Sequence, residues 1–75
     1  MISLDQLAIG QKAIIESIET DVLPLKLIEM GCLPGNEVML VQTTLFNGPL
    51  FLMINGSNIA IRKDTAKEIL IEKIA

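Results

Sequence analysis

Cys32 is the one side chain in this 75-residue chain whose type alone offers covalent or soft-metal chemistry, and it stands without partners. A thiol needs a neighbouring base to become a useful nucleophile, and the chain has no histidine, the commonest base. A soft-metal site needs several ligands, and no second cysteine or imidazole is present. The nine Asp and Glu residues are scattered and make no dense acidic loop for a hard cation. No glycine-rich loop offers to cradle a phosphate. The chain is also too short to enclose a cleft of roughly 300 Å3 or more, the usual size of a small-molecule site. Catalysis, a bound metal and a cofactor are therefore not expected. Cys32 reads as a small apolar residue packed behind a helix stop.

Recognition is the chemistry that remains. Leu45-Phe46-Asn47-Gly48-Pro49-Leu50-Phe51 has the turn residues of a hairpin tip, yet both aromatics of the chain flank it. Tips are normally polar, so an apolar one suits docking. Two other outcomes stay open: the tip folds back over the mouth of the fold, or it meets a second copy of the chain. Lys26, Glu29 and Leu33, with the Pro34-Gly35 turn, form a second candidate surface. Arg62-Lys63 is the only adjacent basic pair. It suits an acidic partner or a solvated strand end. The expected docking residues are Lys26, Glu29, Cys32, Leu33, Pro34 and Gly35, with Phe46, Asn47, Gly48, Pro49, Phe51 and Arg62.

These residues must be held by elements legible in the pattern. Leu23, Leu27 and Met30 recur at helical spacing, Asp21 suits an N-cap, and Gly31 suits a left-handed stop. A short helix is expected over about residues 22–31, its stripe facing the core. Pro34-Gly35 then turns the chain. Strands are expected over Lys12–Ile18, Asn36–Thr44, Leu50–Asn55, Ile59–Lys63 and Ile69–Ile74. In the first, Ile15 and Ile18 fall on opposite faces. Asn47-Gly48 is the strongest hairpin signal, and Asn55 to Asn58 makes a further turn. Ser3 with Gln6 resembles a capping box, and Thr65 with Glu68 caps a one-turn helix near residues 64–68. The sum is a mainly β fold, a small barrel of about five strands in one domain over residues 1–75. Closure of a barrel protects the edges of so apolar a chain.

Hydrophobic residues make up 51% of the chain, and mean hydropathy is +0.55. So much apolar surface implies a very apolar core, a partner face or an oligomer contact. No apolar run reaches the roughly 18 residues of a membrane span. Met1-Ile2-Ser3-Leu4-Asp5 has no basic region ahead of an apolar stretch, so no secretory signal is expected. Net charge is −3, no Lys/Arg cluster exists, and Trp and Tyr are absent, which argues against nucleic acid. A single cysteine excludes an internal disulfide and fits a reducing cytoplasm.

Set in order, the residues resemble FeoA, the family of small cytoplasmic ferrous-iron transport proteins. The resemblance runs from Leu4, Leu7 and Gly10 through Ile15 and Ile18 to Leu27, Met30, Gly31, Pro34, Gly35 and Val38. It continues through Gly48-Pro49, Gly56, Ile61-Arg62, Ala66 and Ile69. Met-Gly-x-x-Pro-Gly, followed later by Gly-x-x-x-Ala-Ile-Arg, is its strongest part. The resemblance implies an SH3-like β-barrel with an inserted helix. It implies a non-catalytic protein whose partner is FeoB, the membrane ferrous transporter with a cytosolic G-protein domain, and whose docking tunes that transporter. The same domain type ends DtxR-like metal-dependent repressors, which leaves a regulatory or nucleic-acid-associated barrel as one alternative and an iron carrier as another. The chain departs from the family at two points. Phe46-Asn47-Gly48-Pro49-Leu50 stands where Gly-Asp-Pro is common, and Lys26 stands where the helix often carries arginine.

Overall fold

Period-two alternation in the sequence becomes strands that pair antiparallel throughout. In chain order the computed structural model has β1 (Ile2–Ser3), a 3-10 turn (Leu4–Gln6), β2 (Lys12–Ile18), α1 (Leu25–Glu29), β3 (Glu37–Gln42), β4 (Leu50–Ile54), β5 (Ser57–Ile61), α2 (Lys63–Ala66) and β6 (Ile69–Lys73). It describes residues 1–21, 23–46 and 48–74. The strands form one sheet in the order β1-β6-β2-β3-β4-β5. The expected mainly β, SH3-like architecture with two short helices is what forms. The added sixth strand is β1, only two residues long, where Ile2 and Ser3 pair with Ile71 and Leu70. After it, Gln6 Oε1 accepts the Ser3 N–H at 3.3 Å, as the capping pattern requires.

The core lies on one face of the sheet. Val38 faces Ile54, Leu40 faces Leu52, and Leu50 faces Ile61, all buried. Burying each such side chain stabilises the fold by roughly 1.5–3 kcal/mol. Two bulges break the alternation. In β2, Ile15 faces Ile71, Ser17 faces Leu70 and Ile18 faces Ile69, so Glu16 is the extra residue. The bulge turns Ile18 onto the same face as Ile15, against buried isoleucines, rather than onto the opposite face. In β3, Leu40 faces Leu52 and Gln42 faces Phe51, so Val41 bulges outward. Bulges bend a strand and sharpen its twist, which helps the sheet coil. Among the described residues β1 and β5 do not pair, so strand pairing does not complete a barrel. Instead α2 packs against the 3-10 turn between those edges, with Ala66 and Leu4 fully buried.

The tight two-residue turn lies at Asn55-Gly56, where φ is 51° and 83°. Two successive left-handed residues are what a type I′ turn demands, and Asn and Gly accept them most readily. Ser57 and Asn58 already belong to β5, so the turn is narrower than Asn55 to Asn58. The other hairpin signal, Asn47-Gly48, includes Asn47, which lies outside the described residues.

Both helices are shorter and differently capped than their sequence signals imply. Helix α1 starts after Pro24, whose ψ of 132° makes it the extended cap in place of Asp21. Proline disfavours helical geometry in the residue before it, so the helix does not begin earlier. Val22, within the expected span, lies outside the described residues. For α2 the cap is Arg62, with φ −63° and ψ 144°, and Thr65 sits inside the helix.

Candidate docking surface

The tip between β3 and β4 is tied to itself. Thr44 Oγ1 donates to the Pro49 carbonyl at 2.9 Å, and Gly48 N–H donates to the Leu45 carbonyl at 3.3 Å. The chain passes so close that a Cβ on Gly48 would stand 2.1 Å from Thr44 Oγ1. This fold-over presents Phe46 outward. Phe46 is 97% exposed and has a φ of 58°. Left-handed geometry costs a residue with a Cβ about 1–2 kcal/mol, and here no burial offsets it. Leu45 beside it is 81% exposed. The tip therefore does not fold its aromatic back over the core.

The neighbouring strands add to this end of the molecule. Phe51, on the outer face of β4, faces Ala60 of β5. With Val41, Gln42 and Asn58 they border a groove of about 560 Å3, so a chain this short does form a concavity of the size its length argued against, as a shallow open groove rather than an enclosing cleft. Leu50 pairs with Ile61, which sets Pro49 beside Arg62 although they are far apart in sequence. Pro49 and Arg62 then share a concavity of about 400 Å3 with Lys63, Asp64 and Lys67.

Lys26, Glu29, Leu33, Pro34 and Gly35 lie elsewhere. All are exposed, and they lead into the start of β3, whereas the tip follows its end. A six-residue strand separates the two groups by on the order of 15 Å. The two candidate surfaces thus lie at opposite ends of β3. The α1 surface is held rigidly. Cys32 N–H donates to the Leu27 carbonyl at 2.9 Å and Gly31 N–H to the Ile28 carbonyl at 3.1 Å. That is a Schellman ending, with Gly31 at φ 102° as the left-handed residue. Asn36 Nδ2 donates to the Gly31 carbonyl at 2.6 Å, and Gly35 N–H to the Ile15 carbonyl at 2.7 Å.

Cys32 leaves the docking set. Its side chain is fully buried beside Leu27, the apolar contact that accompanies this helix ending, so it presents no surface to a partner. Burial pushes its thiol pKa up through desolvation, which disfavours the reactive thiolate. Asn47 lies outside the described residues. Among the described residues, no cluster of three or more His, Cys, Asp or Glu could hold a metal ion. No helix among them is long and apolar enough to cross a membrane.

Some exposed contributors carried no sequence signal. Leu25 is 68% exposed because it lies off the stripe of Leu23, Leu27 and Met30, which faces the core. Val41 is exposed by its bulge, which alternation does not reveal. Lys67 reaches the Pro49 concavity only through the α2 turn.

The comparisons with known proteins agree with this fold. The FeoA domain family matches residues 2–73. The chain is similar to iron(II) transport protein A from Clostridium thermocellum, with 33% identity, coverage of 97% of this chain and 46% of that one, and a TM-score of 0.87. It is similar to a crystal structure of an iron uptake regulatory protein, FeoA, with 26% identity, coverage of 97% and 96%, and a TM-score of 0.83. It shares its fold with zinc-complexed Stenotrophomonas maltophilia FeoA, described as a procaryotic SH3 domain protein, at 23% identity, 96% and 91% coverage and a TM-score of 0.77. No curated sequence matches the chain. A six-stranded antiparallel sheet with two short helices, read together with the match over residues 2–73, places the chain in the FeoA domain family.

Proposed function

We propose that this chain is a non-catalytic cytoplasmic accessory protein of ferrous iron transport. It docks on the cytosolic G-protein domain of a FeoB-like membrane transporter and tunes that transporter's assembly or activity. The names of the similar proteins, an iron(II) transport protein and an iron uptake regulatory protein, support the process. The observation that carries docking is Phe46, an aromatic 97% exposed at a self-tied tip. Apolar surface offered this openly serves contact with another macromolecule. The lone thiol is buried and its pKa is raised by desolvation, which disfavours the reactive thiolate.

The test is recovery of the purified G-protein domain on immobilised wild type, Phe46→Asp and Leu33→Asp, each shown to be folded. Because the two ends are separate, the variants are read singly. Loss with Phe46→Asp supports docking by the tip. Unchanged recovery with both variants contradicts the assignment.

A further inference from the structure

Half of the chain's six cations stand in one corner. Arg62, Lys63 and Lys67 line the concavity beside Pro49, with Asp64 as its one carboxylate. Lys63 and Lys67 are four residues apart at the α2 turn, a spacing that sets both on one side. Among the described residues none of these three cations is in an ion pair. Among the described residues the ion pair present is that of the Met1 amino group with Glu72, at 4.0 Å. A chain of net charge −3 thus concentrates three cations against one carboxylate at a single concave site. The shallow apolar groove of Phe51, Val41 and Ala60 lies nearby, because Phe51 and Ala60 directly adjoin the Leu50–Ile61 pair.

Resting on the docking reading above, we propose that this corner is the subsite for an acidic segment of the partner protein. Carboxylates of the segment meet Arg62, Lys63 and Lys67, and an adjoining apolar side chain lies against Phe51 and Val41. The planar guanidinium of Arg62 matches a carboxylate with two parallel hydrogen bonds, while the lysines act as point charges. Complementary charge of this kind selects a partner and speeds the encounter more than it adds affinity. A protein segment suits the site better than a flat anionic membrane. A concavity of about 400 Å3 admits a few side chains. A bilayer would also face the excess of nine acids over six bases carried by the whole chain.

The experiment uses the full chain and a capped peptide, Glu-Leu-Glu-Glu-Leu-Glu, with its Gln-for-Glu counterpart as control, followed by backbone amide NMR. The expected result is saturable binding of the acidic peptide with shifts centred on residues 62–67. The control should not bind. Affinity should fall about tenfold in Lys63→Gln/Lys67→Gln, which removes both charges but keeps polar side chains at positions outside the core, and should fall again with added salt. Equal binding of the control peptide, or shifts centred on α1, overturns the proposal. So does displacement of the peptide by phosphatidylglycerol vesicles that bind the chain more strongly. The double variant is then tested on the transporter's G-protein domain. If Phe46→Asp weakens that contact and Lys63→Gln/Lys67→Gln leaves it unchanged, the acidic-segment assignment fails while docking stands. If wild type does not bind the domain, the docking reading fails, and the peptide titration still decides what the corner accepts.

Discussion

Replacing Phe46 by asparagine should make the protein more stable and a poorer partner. Phe46 has φ 58° and is 97% exposed. Its side chain buries almost nothing, so removing it forfeits little of the roughly 1.5–3 kcal/mol that a fully buried phenylalanine would contribute. Its backbone stands where a residue with a Cβ loses about 1–2 kcal/mol, a cost that asparagine reduces because its short polar side chain tolerates that region. The net gain should be about 0.5–1 kcal/mol. For a domain of this size that corresponds to a rise in Tm of about 2–8 °C. Urea unfolding of both proteins, with unchanged m-values, reads the difference directly. Binding of the transporter domain should weaken at the same time. A destabilisation of more than about 1 kcal/mol would refute the reasoning, since it would mean that the ring packs against the fold.

Three other outcomes follow from the same structure. Leu52→Ala should cost about 2–5 kcal/mol, whereas Met53→Ala, one residue on and on the outer face, should cost under about 1 kcal/mol in the same urea titration. Gly31→Ala should destabilise by about 1–2 kcal/mol, because φ is 102° and the new methyl would stand 3.3 Å from Asn55 Cβ. A thermal melt checks it, and an unchanged Tm contradicts it. Cys32 should make stability fall at alkaline pH. Its folded thiol pKa lies above the ordinary value of 9.0, so its contribution is intact below that value. The contribution is lost as pH rises through the folded value, because the unfolded chain deprotonates first. Comparing urea midpoints of wild type and Cys32→Ala across that range should show wild type losing ground to the variant only on the alkaline side.

The core was legible because period two is a strong signal. Leu50, Leu52 and Ile54 alternate cleanly and face buried Ile61, Ile59 and Val38, and Ile69 and Ile71 alternate as well, with Ile71 facing buried Ile15. The helix stop was legible because Gly31 has one conformational advantage that no other residue shares. The bulge at Glu16 was not, because nothing in Ile15-Glu16-Ser17-Ile18 marks an extra residue. It is set by how β2 meets Leu70 and Ile69 on a distant strand. The start of α1 was misjudged because Asp21 and Pro24 both signal helix entry, and the geometry at Pro24 decided between them. The candidate surface was legible as residue types but not as an arrangement. Phe46 and Leu33 are both exposed, yet which end of β3 each occupies depends on pairing across the sheet. The union of Pro49 with Arg62 and Lys67 follows from the Leu50–Ile61 register, which no local pattern contains.

Binding of the purified cytosolic G-protein domain of a FeoB-like transporter, measured by calorimetry against wild type, Phe46→Asp and Leu33→Asp, tests the central claim most directly. The account predicts one saturable site that Phe46→Asp weakens at least about tenfold, from loss of a central aromatic contact. A folded Phe46→Asp protein that binds as tightly as wild type would contradict it.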